Sequence, residues 1–472
     1  MCHYQVSVIP SPTTSCLFID GLVGNTAPVL TSSKPTTEEK PWFLGYDYDE
    51  SEIVFTVDAN VKGGTLRALV ERCTLHDALD TTFVNNFLLT YRSFTTSEEF
   101  LNLLFKRFQV QPPPGLTAEE MEIWRSKKQK PIQLRVFNII KQWLESIYHE
   151  DDDAGLLNRL HEFIRTTMSP HLKTVSLLKL IEKRQTKTND YTLRKLVRNI
   201  KQEAPPSIMP KNLKKLKFLD IDPTEFARQL TIMDSGLYNK ITPVECLNKA
   251  WSNKENSCAV NIKAMIEISN HLTHWVIESI LQEKVPHKRA HLIRHFVAIA
   301  DRCMSLNNYN SLMAILAGLN SAPIHRLKRT WELIPTKSTV VLDMLKARMN
   351  QTKNFSTYRE GLHSIDPPCV PFLGVYLTDL TFIDDGNPDK LPGTDLINFS
   401  KYSKCADVIT EIQQYQKLPY CLTTVPQIKL FLERNLQGGR DVQDLYNMSL
   451  NMEPREREDE KIARLLHESG FL

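Results

Sequence analysis

Apolar residues in this chain recur at helical spacing again and again, and nowhere do they alternate long enough to build a large sheet. Phe100, Leu101, Leu104, Phe105 and Phe108 share one face of a helix that begins near Thr96. Phe137, Ile140, Trp143, Leu144 and Ile147 share another, with Lys141 on the polar side. Ile262, Met265, Ile266, Leu272, Trp275, Val276 and Ile280 mark a long apolar face over 259–282. Recurrence every three or four residues stacks side chains along one stripe of a helix, whereas a half-buried strand repeats every two. Start signals repeat too. Asp222-Pro223-Thr224-Glu225 and Thr242-Pro243-Val244-Glu245 each supply an N-cap side chain, Pro at N1 and Glu at N3. The pattern predicts an all-α fold with one or two short strands near its start, the first around Val54 and followed by a Gly63-Gly64 turn.

With 472 residues, 42% of them hydrophobic, the chain is long enough for two helical domains. Residues 1–50 carry Pro, Ser, Thr and Gly without a sustained period and read as a disordered lead-in. A first domain is expected over 51–201, a linker over 202–220, a second domain over 221–460 and a tail over 461–472. The linker, QEAPPSIMPKNLKKLKFLD, holds three prolines and then a basic run that is either solvated or a contact for anionic lipid. Asp151-Asp152-Asp153 reads as a solvated turn.

Several function classes drop out. A net charge of +3 argues against nucleic acid as a partner. Nine cysteines, odd in number and without a CxxC pair, fit free thiols in the cytoplasm rather than disulfides or a zinc site. No apolar run approaches the ~18–20 residues that span a bilayer, and no signal peptide is evident. The phosphate-cradling GxxxxGK[ST] and GxGxxG patterns are absent, as are HExxH and GxSxG, so no cofactor and no metal is expected. His287, His291 and His295 fall at i, i+4, i+8 but lie among Lys288, Arg289 and Arg294, which oppose a cation. A solvated helix face is the reading there.

The run PPCVPFLGVYLTDLTFIDDGNPDKLP (367–392) is different. It reads as an apolar helix that delivers Asp384 and Asp385 at its C-terminal end, where the macrodipole already places negative charge. Carboxylates there cost stability, so something beyond local folding is implicated. A second helix over 403–417, SKCADVITEIQQYQK, carries a stripe of Cys405, Val408, Ile409, Ile412 and Tyr415 and completes a hairpin. Pattern alone leaves a packed helix pair standing beside a functional device. Asn307 and Asn308 suit turn and cap work, while Asn310 suits either a cap or an amide presented to a partner.

The runs NNYNSLMAILAGLNSAPIHRLKRTWE (307–332), PPCVPFLGVYLTDLTFIDDGNP (367–388) and INFSKYSKCADVITEIQQYQKLPYCL (397–422) closely resemble the catalytic domain of Ras guanine-nucleotide exchange factors. DPTEFARQLTIMDSGLYNKITPVECL (222–247) resembles the start of that domain, and FTVDANVKGGTLRALVERCTLHDALDTTFVNNFLLTYRSFTTSEEF (55–100) the exchanger motif preceding it. The likeness runs collinearly over about residues 52–460, in the flavour of the fungal cell-division-cycle exchangers, with Son-of-sevenless as a relative.

The resemblance implies an all-helical, two-domain protein whose second domain bears a protruding helical hairpin. In the family that hairpin enters the nucleotide site of a Ras-family small GTPase and displaces its first switch loop, without covalent chemistry. By likeness, Thr381 faces the magnesium position and Asp385 the α-phosphate. Phe372, Thr378 and Asn387 match other hairpin contacts, while Asn310, Asn354, Phe355 and Trp251 match residues that hold the switch regions. Relatives often carry leucine where Thr381 stands and glutamate where Asp385 stands. The implied partner is the GTPase, bound most tightly when nucleotide-free, and membrane is met only through the lipidated GTPase or a recruiting partner. A scaffold that binds a GTPase without releasing nucleotide is the rival reading. A helical-repeat adaptor is disfavoured by the absence of a fixed period.

Overall fold

The structure is a computed structural model that describes residues 41–186, 203–212, 216–253, 258–454 and 466. The lead-in expected over 1–50 lies outside the described residues as far as residue 40. So do the linker at 213–215 and the tail apart from Leu466. Trp42–Leu44 form one 3-10 turn, and everything below concerns the second unit, 46–472.

Among the described residues the sheet is two short antiparallel strands, β1 (Ile53–Phe55) and β2 (Val61–Gly64), with Ile53 opposite Gly64. The expected Gly63-Gly64 turn is corrected: both glycines sit inside β2, and the chain reverses over 56–60, where Ala59 takes a φ of 60°. The glycines are needed for space. A Cβ on Gly63 would run into the carbonyl of Ile397, and one on Gly64 would lie 2.9 Å from the carbonyl of Glu52.

Buried side chains then gather into two cores. The first is built on α1 (Leu66–Cys73), α2 (Thr81–Thr90), α3 (Ser97–Phe108) and α4 (Lys130–Gln142). Thr65, Asp80 and Thr96 cap the first three by accepting from amides within the first turn. Phe87, Phe100, Leu104, Ile140 and Trp143 are wholly buried, and the Trp143 Nε1 donates 2.9 Å to the hydroxyl of Tyr91. The solvated turn expected at 151–153 holds for exposed Asp151 and Asp152 but not for Asp153. Glu150–Asp153 is a helical turn, and Asp153 is fully buried, held by Arg92 at 2.6 and 3.1 Å and by the amide of His149 at 2.8 Å. A buried carboxylate persists only when so paired.

The second core takes α5 (Pro223–Tyr238), α6 (Val260–Gln282), α7 (Pro286–Ser305), α8 (Tyr309–Asn320), α9 (Thr352–Leu362), α10 (Leu373–Gly386), α11 (Phe399–Gln414) and α12 (Val442–Met452). Asp222 caps α5 as expected. Thr242 and Glu245 form their capping box, yet it opens only one 3-10 turn, Pro243–Cys246. The same Glu245 carboxylate also accepts from the amides of Asn261 (2.7 Å) and Ile262 (3.0 Å), satisfying orphan donors at the start of α6. The solvated face expected on α7 holds for His287, Lys288, His291 and Arg294 but not for Arg289 and His295. Arg289 is buried and donates to Glu453 at 3.2 Å and to Thr330 at 3.0 Å. His295 packs edge-on against Phe218, and burial pushes its imidazole down to about 4. Seven described cysteines are free thiols, no described cluster could hold a metal ion, and no described helix is long and apolar enough to cross a membrane.

One junction positions everything that follows. The connection between α10 and α11 is sewn to β2 by two backbone bonds, Gly64 N–H to Ile397 O at 3.1 Å and Ile397 N–H to Gly64 O at 2.9 Å. Phe399, the first residue of α11, belongs to the first core, with its ring 4.6 Å from Phe83, and the Tyr402 ring packs at a tilt against Phe94, 4.8 Å away.

Candidate partner-binding site

The helix α10 divides along its length. Leu373, Val375, Tyr376, Leu377 and Leu380 are buried, and the backbone amide of Phe372, the N-cap, donates to the Tyr358 hydroxyl at 2.9 Å. On the opposite stripe Thr378, Phe382 and Asp385 are exposed, at the i, i+4, i+7 spacing of one helix face, with half-buried Thr381 beside them. Phe382 is 67% exposed, unusual for an aromatic ring and unannounced by the sequence reading, although the same spacing picks it out. The two threonine hydroxyls bond back to their own helix, Thr378 to Gly374 O at 2.8 Å and Thr381 to Leu377 O at 2.7 Å. Asn387 closes the helix by donating to Ile383 O at 2.8 Å, and its carbonyl accepts from Lys404 at 3.4 Å.

The acids at the unfavourable end have local partners that the sequence did not reveal. Lys401, buried on α11, lies 2.7 Å from Asp384 and 2.6 Å from Asp389. Lys249 lies 3.4 Å from Asp384 and also contacts Asp385. Desolvation works to raise the carboxyl of Asp384, but the bonds from Lys401 and Lys249 outweigh it and hold that group below its ordinary value. Desolvation opposes charge on Lys401 as well, and its two carboxylate partners overcome it and raise the ammonium. The bond to Asp385 raises Lys249. Two lysines therefore answer the dipole penalty, one of them more than a hundred residues away in sequence.

The other candidates lie on three further segments, two of which reach α10. Asn248 and Lys249 take left-handed backbone angles, φ 51° at each, and lead into the turn Ala250–Ser252 that carries half-buried Trp251. Lys249 thus ties that turn to Asp385. At the start of α9, Lys353, Asn354 and Phe355 are left-handed in succession. The Asn354 amide donates to Asp379 at 3.2 Å, and the Phe355 ring lies 5.8 Å from that of Phe372. At the third segment, Val370 pairs with the 307–309 turn through Val370 N–H to Asn307 O (3.0 Å) and Tyr309 N–H to Val370 O (2.9 Å). Asn308 is the cap of α8, accepting from Ser311 N–H at 3.1 Å. Asn310 is 3% exposed and turns its amide inward to Ser269 at 2.9 Å. Beneath it Asp234, wholly buried and bonded by Ser311 at 2.6 Å, is raised by desolvation.

Residues 60–163 match the RasGEF N-terminal motif, and residues 225–403 match the RasGEF domain. The chain belongs to the RasGEF family. It is 38% identical over 431 residues to cell division control protein 25 of Candida albicans, covering 88% of this chain and 32% of that protein. To cell division control protein 25 of Saccharomyces cerevisiae it is 35% identical over 468 residues, 93% of this chain and 29% of the relative. To the protein son of sevenless of Drosophila melanogaster it is 31% identical over 435 residues, 84% and 27%. The chain therefore spans about a third or less of the length of these relatives. The RasGEF domain match takes in all of α10, and the N-terminal motif match takes in Gly64, Phe83 and Phe94, the residues that grip Ile397, Phe399 and Tyr402.

Proposed function

We propose that this chain is a guanine-nucleotide exchange factor for a Ras-family small GTPase, acting by insertion of the α10–α11 hairpin at the nucleotide site. One observation carries the reading: the RasGEF domain match encloses a helix that leaves Thr378, Phe382 and Asp385 on an open face while its other face is fixed in the core. A rigid element that presents an aromatic ring and an acid to solvent suits entry into a partner's cleft. An acid brought near phosphate subsites repels nucleotide, and within a desolvated cleft such terms reach several kcal/mol. Thr381 flanks the same face near the magnesium position, and Phe372, Asn387, Asn310, Asn354, Phe355 and Trp251 supply or support the surrounding contacts.

No bond is made or broken. Interface energy stabilises the nucleotide-free GTPase, and linkage makes the effect reciprocal: the exchanger weakens nucleotide, and incoming nucleotide expels the exchanger by the same factor. The two buried cores support a division into a first helical domain over 51–201 and an exchange domain over 221–460, with the first bracing the hairpin through Ile397, Phe399 and Tyr402. The protein meets membrane through the lipidated GTPase or a recruiting partner. The contact of Lys249 with Asp385 favours a second reading, a scaffold that binds the GTPase with its acid neutralised.

Release of a fluorescent GDP analogue from a purified Ras-family GTPase tests the proposal. The chain should accelerate release, and Asp385→Ala should slow the accelerated rate. A chain without any effect on release removes the exchanger reading, and an Asp385→Ala chain as fast as wild type removes only the role given to that acid.

A further inference from the structure

At the start of α9 three consecutive non-glycine residues hold left-handed backbone, with φ of 50° at Lys353, 53° at Asn354 and 58° at Phe355. Left-handed backbone is strained for residues with a Cβ, so a run of three persists only where its surroundings hold it. Arg359 donates its Nε to Asn354 O at 2.9 Å, which fixes the strained backbone itself. The same guanidinium reaches Asp379 on α10 with both terminal nitrogens, at 2.9 Å to Oδ1 and 2.8 Å to Oδ2. Asp379 completes the loop by accepting from the Asn354 side-chain amide at 3.2 Å.

We infer that Arg359 and Asp379 form a bidentate fork that locks the left-handed segment Lys353–Phe355 onto α10, making both of them positioning residues for the partner contact proposed above. The inference rests on that functional reading. The fork matters because it joins two surfaces distant in sequence. Thr378, Phe382 and Asp385 lie on the exposed stripe of α10, while Asp379 lies beside that stripe and anchors the segment that presents Asn354 and Phe355. A planar guanidinium facing a carboxylate with two parallel bonds sets orientation as well as distance, which a lysine cannot do. Side-chain exposures of 28% for Arg359 and 21% for Asp379 keep the pair largely out of water. With the fork closed, the two surfaces meet the GTPase as one preorganised patch, so their relative geometry is not bought at each encounter.

The test uses the full chain with Asp379→Asn, Arg359→Lys and the exchanged pair Arg359→Asp with Asp379→Arg. For the single variants, the GTPase concentration giving half-maximal acceleration of GDP release should rise about tenfold, the effect of losing one charge-assisted partner. The rate at saturation should change much less. Amide hydrogen exchange over 352–356 should quicken in the same variants while that of α6 and α8 stays as in wild type, and the exchanged pair should recover part of both losses. A wild-type chain that accelerates release, beside single variants with unchanged half-saturation and unchanged hydrogen exchange, overturns the fork alone. Variants that lose protection throughout the second core overturn it too, because the pair is then general packing. A wild-type chain that accelerates nothing overturns the functional reading and with it the positioning role, while the hydrogen exchange still reports whether the fork holds the segment.

Discussion

Asp153 in the first core and Asp385 at the end of α10 are both carboxylates paired with a cation, yet their settings differ. Asp153 has no exposed surface, and Arg92 and a backbone amide close it off. The Asp385 side chain is 59% exposed and meets Lys249 at the surface. A buried pair is expensive to break, because the surviving partner is left charged in a poor solvent. A surface pair is worth little to the fold, since water competes for both groups. Charge in the first region therefore serves the architecture, whereas charge at the tip of α10 contributes little to it.

The largest expected effects are on the first side of that comparison. Asp153→Ala should destabilise the chain by about 3–5 kcal/mol in denaturant titration, since Arg92 then stays buried without its counter-ion. A loss below about 1 kcal/mol would erase the contrast. Phe399→Ala removes an aromatic side chain from the first core and should cost a similar amount, about 3–5 kcal/mol. It should also slow nucleotide release, because α11 loses its anchor to Phe83. Full exchange activity at unchanged stability would show that the first core does not brace the hairpin.

Next comes pH. His295 is held neutral by burial, down to about 4 from an ordinary 6.5. Between those values the unfolded chain binds a proton that the folded one refuses, so stability falls as pH drops through that window, by up to about 3 kcal/mol. His295→Phe should flatten the slope between pH 6.5 and 4. Asp384 acts lower: its carboxyl is depressed, so its contribution is complete above the ordinary 3.8 and fades as pH falls below that value. The smallest stability effect belongs to Asp385→Ala, which should leave the melting midpoint unmoved while slowing the accelerated nucleotide release about tenfold or more. A drop in melting midpoint comparable to that of Asp153→Ala would mean that the tip acid serves the fold after all.

Much of this was written in the chain locally. The helix cap at Asp222 and the apolar stripes of α3, α6 and α11 depend on neighbours three or four residues away, and that is the range a sequence pattern reports. The Gly63-Gly64 error has a long-range cause, since those glycines make room for a carbonyl at Ile397, over three hundred residues later. Asp153 misled for the same reason, its partner Arg92 lying sixty-one positions earlier. Around the candidate site, Asp384 and Asp385 stood out from the sequence as acids at a helix end, Thr378 and Thr381 came from the family resemblance, and Phe382 was missed. The lysines at 249 and 401 and the fork of Arg359 with Asp379 were not legible, because each pairing is set by tertiary packing alone.

The affinity of the chain for nucleotide-free against GDP-bound GTPase tests the central claim most directly. If the open face of α10 works by competing with nucleotide, the nucleotide-free form binds more tightly, by the same factor by which the chain weakens GDP. Equal affinity for the two forms would contradict the account and leave a scaffold in its place.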